Sequence, residues 1–140
     1  ANLYDIRGPA GKRYKQVMPD LNRSLSTIVR IYGRQHAMLY HFLQTYESVC
    51  ERRCMPQHVR FLQEWIIEIL TINLGQNSDH VDTAKIRLIT ILIKNEDFQR
   101  ARALLDEQLA RKEAVYGNTD ERISQIILEI VDLEMLAAER

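Results

Sequence analysis

Two cysteines and a histidine at even spacing are the first residues in this sequence that could do chemistry. Cys50, Cys54 and His58 follow a Cys-x3-Cys-x3-His pattern, and thiolate and imidazole groups are common zinc ligands. A structural zinc needs four ligands, and Met55-Pro56 interrupts the helical pattern before the histidine. We therefore expect no metal and no other cofactor, and predict buried free thiols with an exposed His58.

Two pairs of glutamates stand four residues apart, Glu47 with Glu51 and Glu64 with Glu68. A carboxylate-bridged metal site in a helical bundle wants a histidine three residues after a glutamate, and these places hold none. We interpret both pairs as solvated helix charges. No phosphate-binding glycine loop, Gly-x-Ser-x-Gly elbow or His-Glu-x-x-His motif occurs, so we expect no enzyme.

The overall composition is that of an ordinary globular chain: 140 residues, 46% hydrophobic, with a net charge of zero. Two cysteines are too few for a disulfide framework, and no apolar run is long enough for a membrane span. We expect no membrane partner and a cytoplasmic setting, with the nucleus as the alternative. Because the chain lacks an initiator methionine and its last helical pattern reaches Arg140, we also expect a fragment of a longer protein.

Charge is unevenly distributed along the chain. The last 45 residues carry eleven acidic and six basic side chains, and an acidic end with a basic start favours head-to-tail contact or simply solvated helix faces. Nucleic-acid binding by the start is not favoured, since Tyr14 is the only aromatic among its clustered charges. The basic side chains of this start are Arg7, Lys12, Arg13, Lys15, Arg23, Arg30 and Arg34.

Three glycines organise the chain. Gly33, Gly75 and Gly117 are separated by two intervals of 42 residues, and each follows a helical apolar pattern that a glycine would end. Between them the apolar residues recur every three or four positions, in two segments per interval. We predict an all-α fold of helix-turn-helix repeats stacked as an α-solenoid, with about six helices. An irregular lead-in is expected over 1–18 and a repeat domain over 19–140, with helices near 19–32, 36–52, 57–74, 79–94, 97–116 and 119–138.

A 42-residue helical pair ending in Leu-Gly or Tyr-Gly resembles the tetratricopeptide repeats of the kinesin light chain type. The resemblance implies a scaffold or adaptor segment whose first helices line a concave groove for a peptide or a partner helix. The match is best from Asp79 to Gly117, with Leu88 and Leu92 at the apolar positions of the first helix, Phe98 at the aromatic turn position, Ala101 at the small position, Leu105 at the large apolar position and Val115-Tyr116-Gly117 at the ending.

Carried over through that match, the groove positions are spread over three helices and are mostly polar. Lys94 and Arg87 give the middle helix a basic character and Glu129 and Asp132 give the last helix an acidic one, which would suit a ligand of both charge signs. The polar groove positions are His41, Gln44, Thr45, Ser48 and Arg52, then Thr83, Arg87, Thr90 and Lys94, then Gln125, Glu129 and Asp132.

The last helix is apolar over most of its circumference, so Ile123, Ile127 and Ile130 are candidates for an apolar end interface. That interface would pack on further repeats or on a second copy of the chain; ordinary core packing is the alternative. For the function, the alternative is an accessory helical domain of a larger enzyme or sensor, similar to the C-terminal domain of SET-MYND methyltransferases.

Overall fold

A computed structural model describes the backbone from residue 10 to residue 139 and the side chains from residue 17 to residue 139. Within that part of the chain every regular element is a helix and no strand occurs. The prediction of an all-α fold with six helices is therefore confirmed. The helices are α1 (Ala10–Tyr32), α2 (Leu39–Arg52), α3 (Pro56–Leu74), α4 (Asp79–Lys94), α5 (Phe98–Tyr116) and α6 (Glu121–Ala138).

The expected irregular lead-in is wrong over residues 10–18, which form the start of α1; residues 1–9 lie outside the described part. The predicted helix starts at residue 19, which is a proline, and proline is favoured in a first helical turn. In the structure Pro19 lies inside α1 and is exposed, while Val17 and Leu21 on either side are buried. Burying these two side chains one turn apart offsets the hydrogen bond that proline cannot donate.

The other helix ends agree with prediction to within about three residues, and local hydrogen bonds explain where they begin. His80 donates its N–H to the Ser78 hydroxyl at the start of α4 (3.2 Å), so Ser78 caps this helix. The Asp120 carboxylate accepts from the N–H of Arg122 and sets the start of α6 at Glu121. Residues 36–38 were predicted to begin α2, but they form a turn that precedes it.

The turn between α2 and α3 and the turn between α4 and α5 share one backbone geometry at an interval of 42 residues. Cys54 and Glu96 are the only described residues besides glycine with positive φ, at 55° and 61°. Three backbone hydrogen bonds of the first turn recur 42 residues later in the second. In the first turn the N–H groups of Arg53, Cys54 and Met55 donate to the carbonyls of Val49, Glu51 and Cys50 (3.1, 3.1 and 3.0 Å). In the second the N–H groups of Asn95, Glu96 and Asp97 donate to the carbonyls of Ile91, Ile93 and Leu92 (3.0, 3.0 and 2.9 Å).

The helix-ending glycines also share one geometry. Gly33, Gly75 and Gly117 have φ of 84°, 90° and 79°, and the N–H of each donates to the carbonyl four residues earlier, at 2.8–2.9 Å. Buried positions recur at the same interval, which makes the helix packing consistent with a helical repeat. These sets are Leu39, Val81 and Ile123; Tyr46, Leu88 and Ile130; Val49, Ile91 and Leu133; Val17, Val59 and Ala101; and Leu21, Gln63 and Leu105.

The chain divides into two compact units, one up to Asp82 and one from Thr83 onward. In the first unit α1 packs against α2 and α2 against α3. The Tyr46 hydroxyl donates to the side-chain oxygen of Asn22 and joins α2 to α1. The indole N–H of Trp65 donates to the Arg34 carbonyl at 2.8 Å, and this hydrogen bond connects the loop after α1 to α3. Trp65 itself is buried.

In the second unit α5 packs against α6. An ion pair between Lys85 and Glu107 joins α4 to α5 at 3.1 Å, and Arg102 on α5 pairs with Glu134 on α6. These ion pairs link α5 to α4 and to α6. No helix of the described residues is both long enough and apolar enough to cross a membrane.

Candidate binding groove

An open groove of about 270 Å³ lies in the second unit, between α4 and α6, with α5 contributing to its floor. The floor is apolar because Ile89, Leu105 and Leu133 are buried side chains that reach it from three helices. Its edges carry exposed residues. The full lining is Ile86, Ile89, Thr90, Ile93, Leu105, Glu129, Asp132, Leu133 and Leu136.

Helical spacing explains how the walls are built. On α4, Ile86, Thr90 and Ile93 follow one another at intervals of four and three residues, which places them on one face. Ile86 is a large apolar side chain that is 54% exposed, so the groove offers apolar surface to a ligand rather than only to its own core. On α6, Glu129 and Asp132 stand three residues apart on the opposite wall.

The rim of the groove is negative. Two other acidic side chains of the second unit form ion pairs, Glu107 with Lys85 and Glu134 with Arg102. Among the described residues, Glu129 and Asp132 form no ion pair. The Thr90 hydroxyl donates to the Ile86 carbonyl at 3.2 Å, which leaves its oxygen as an acceptor. The rim therefore offers hydrogen-bond acceptors and two uncompensated carboxylates.

Three of the predicted groove residues, Thr90, Glu129 and Asp132, come together here. The other predicted positions on α4 and α6 are exposed but do not line this groove: Thr83, Arg87, Lys94 and Gln125. Of the predicted positions on α2, Thr45 is half-buried and the others are exposed to solvent: His41, Gln44, Ser48 and Arg52. Their role in binding stays a prediction.

The predicted apolar end interface is wrong for two of its three residues. Ile123 and Ile130 are buried, because α6 turns this stripe toward α5, and the alternative of core packing holds for them. Ile127 is 45% exposed. The exposed apolar face of α6 consists of Ile127, Leu128, Val131 and Met135.

The cysteines do not form a metal site with their neighbours. No group of three or more histidine, cysteine, aspartate or glutamate side chains in the described residues could hold a metal ion. Cys50 is buried, as predicted, but Cys54 is exposed, because it takes the positive-φ turn position. The pKa of the Cys50 thiol is raised to about 11, mainly by burial; the positive charge of Arg53 opposes this rise and the Glu47 carboxylate adds to it. Such a thiol is a packing group, not a nucleophile.

The glutamates depart from prediction at one position. Glu64 pairs with Arg60 at 2.7 Å and Glu68 with Arg34 at 3.4 Å, which suits helix surface charges. Glu47 is instead buried, with 3% of its surface exposed. It lies on the side of α2 that also buries Leu43, so it is not a solvated charge. His58 is exposed, as predicted.

The buried residues of the lining, Ile89, Leu105 and Leu133, are not among the groove positions predicted from the sequence. Their helical spacing had marked them as core, and a core side chain that also floors a groove carries no separate signal in the sequence. No protein-family model matches this chain, and no curated protein sequence matches it.

Proposed function

We propose that this chain is a protein–protein interaction segment of the tetratricopeptide type, a stack of helix pairs that binds a peptide or partner helix in the groove between α4 and α6. The observation that carries the proposal is the composition of that groove, an apolar floor under a rim with two uncompensated carboxylates. The recurrence of turn geometry and burial at 42 residues supports the stacked arrangement.

The ligand that suits such a groove is an amphipathic segment with basic side chains beside its apolar ones. Apolar contact with Ile86 and Ile93 would supply most of the affinity, since it removes apolar area from water. Ion pairs with Glu129 and Asp132 would add only about 0–1 kcal/mol each, as exposed pairs do. They would nonetheless select the charge of the ligand and its orientation.

Two helical peptides of about 16 residues, long enough to hold a helix in water, test the proposal. Both carry leucines three and four residues apart; one has lysines and the other glutamates at the flanking positions. Anisotropy of the labelled peptide at increasing protein concentration gives each Kd. We expect the lysine peptide to bind more tightly, and the double variant Glu129→Lys/Asp132→Lys to weaken it about tenfold, because up to two rim ion pairs are lost.

The matched control is Glu121→Lys/Glu139→Lys, which makes the same change in net charge on two exposed residues outside the groove, one at the start of α6 and one directly after its end. We expect less than a threefold effect from this control, since a remote surface charge acts through screened long-range attraction alone. Equal affinity for the two peptides, or equal weakening by the two double variants, would refute the groove as the binding site.

A further inference from the structure

A second cavity, larger than the groove, lies in the first unit between α1 and α3. Its volume is about 430 Å³, within the size range of ligand-binding pockets. The turn before α3 and the Tyr46 side chain close parts of it. The lining residues are Met18, Asn22, Leu25, Tyr46, Arg53, Met55, His58, Phe61, Leu62 and Trp65.

Several contacts fix the walls of this cavity in place. The Tyr46 hydroxyl is held by Asn22 on α1, and Trp65 is held by its hydrogen bond to the Arg34 carbonyl. The Arg34 guanidinium also lies 4.3 Å from the centre of the Trp65 ring. Phe61 packs edge-on against Trp65, with 6.1 Å between ring centres. The pocket is therefore preformed, which lowers the entropy cost of filling it.

The apolar part of the lining is suited to one large side chain. Phe61 is 51% exposed although it is aromatic, and an exposed ring beside a cavity is a common feature of binding surfaces. Met18 and Met55 lie at the cavity as well. Methionine is unbranched and polarisable, so it adapts to aromatic and aliphatic groups alike.

The polar part of the lining has one charge sign. None of the ten lining residues is acidic, whereas Arg53 is a cation and His58 and Asn22 can donate hydrogen bonds. The groove of the second unit has the opposite character. We propose that this cavity is a second binding site, which takes an aromatic or long aliphatic side chain of a partner peptide whose neighbouring residue is acidic.

Trp65 makes the proposal testable at the site itself, because it is the only tryptophan in the sequence. Its indole N–H resonance reports on the wall of this cavity. Three capped tripeptides are titrated into the labelled protein: Glu-Phe-Glu, the neutral Gln-Phe-Gln, and Glu-Ala-Glu without the ring. We expect Glu-Phe-Glu to shift the indole resonance saturably. Gln-Phe-Gln should bind at least about fivefold more weakly because it lacks the ion pair, and Glu-Ala-Glu at least about fivefold more weakly because it lacks the apolar contact.

Variants separate the charge from the fold. Arg53→Gln should weaken Glu-Phe-Glu about fivefold and leave Gln-Phe-Gln unchanged, while Arg23→Gln, an exposed arginine of α1 outside the cavity, should change neither. Phe61→Ala, at a half-exposed ring, should weaken both phenylalanine peptides. An indole resonance that no peptide moves, or equal shifts from Glu-Phe-Glu and Gln-Phe-Gln, would overturn the proposal.

Discussion

Replacement of Gly75 by alanine tests the backbone geometry on which the 42-residue interval depends. Gly75 follows α3 with φ of 90° and ψ of 158°, a combination that is essentially confined to glycine and costs other residues about 1–3 kcal/mol. Its N–H donates to the Thr71 carbonyl at 2.9 Å, so the strain cannot be relieved without opening the helix end.

The size of the effect follows from two terms of opposite sign. A Cβ atom on Gly75 would meet no atom within 4 Å, so no steric clash with neighbours adds to the backbone strain. Alanine also reduces the entropy of the unfolded chain, which stabilises by about 0.4–1 kcal/mol. We therefore expect Gly75→Ala to lower the free energy of unfolding by about 1–2 kcal/mol.

Urea unfolding followed by helical circular dichroism measures this loss from the shift in midpoint at constant slope. The control is Asn77→Ala, an exposed residue of the same turn, for which we expect a change within about 0.5 kcal/mol. Gly117→Ala should match Gly75→Ala, since Gly117 has φ of 79° and ψ of 176°. Our reasoning would be refuted if Gly75→Ala changed stability no more than Asn77→Ala does.

Two further predictions concern buried side chains. At pH 8, about three units below the pKa of Cys50, a disulfide reagent should label Cys54 quickly and Cys50 only after denaturation. Labelling of Cys50 should become faster as pH rises toward 11, because the thiolate is the reactive form. Equal labelling rates for the two cysteines in the folded protein would contradict this. Leu92→Ala, at a fully buried side chain, should cost about 2–5 kcal/mol in urea unfolding, whereas Leu128→Ala, 58% exposed, should stay within about 0.5 kcal/mol; similar losses would place Leu92 outside the core.

The helix boundaries were predictable wherever one residue type sets the backbone. Gly75 and Gly117 end helices because few other residues adopt their φ and ψ, and Pro56 begins α3 because its missing N–H is not needed there. Pro19 is also of a type favoured in a first helical turn, but α1 does not begin there. Burial of Val17 and Leu21 continues α1 through it, and whether a neighbouring helix buries two side chains is not a local property.

The groove was predictable in part for a related reason. Periodicity places Thr90, Glu129 and Asp132 on exposed helix faces, and the resemblance assigned those faces to a groove; the structure brings the three residues together. It also leaves Arg87 and Lys94 outside, so the expected mixed charge becomes an acidic rim. The direction of a side chain relative to a cleft depends on the rotation of each helix by a few tens of degrees, which spacing alone does not fix.

The exposed apolar face of α6 follows from where its neighbours lie. The positions that α6 turns toward α5, such as Ile123 and Ile130, are buried, as are the residues one and two intervals earlier. A second set of positions, adjacent on the helix surface, behaves differently: Leu43 on α2 is fully buried, and its counterpart Ile127 on α6 is 45% exposed.

The difference has a simple physical cause. Helix α2 packs against α3, whereas no helix follows α6 among the described residues. On α2 and α6 an apolar stripe is therefore buried only where a neighbouring helix covers it. Because Ile123 and Ile127 both belong to apolar stripes of α6, the sequence does not indicate which of them is buried. Only the position of the neighbouring helix decides which one is core and which one is surface.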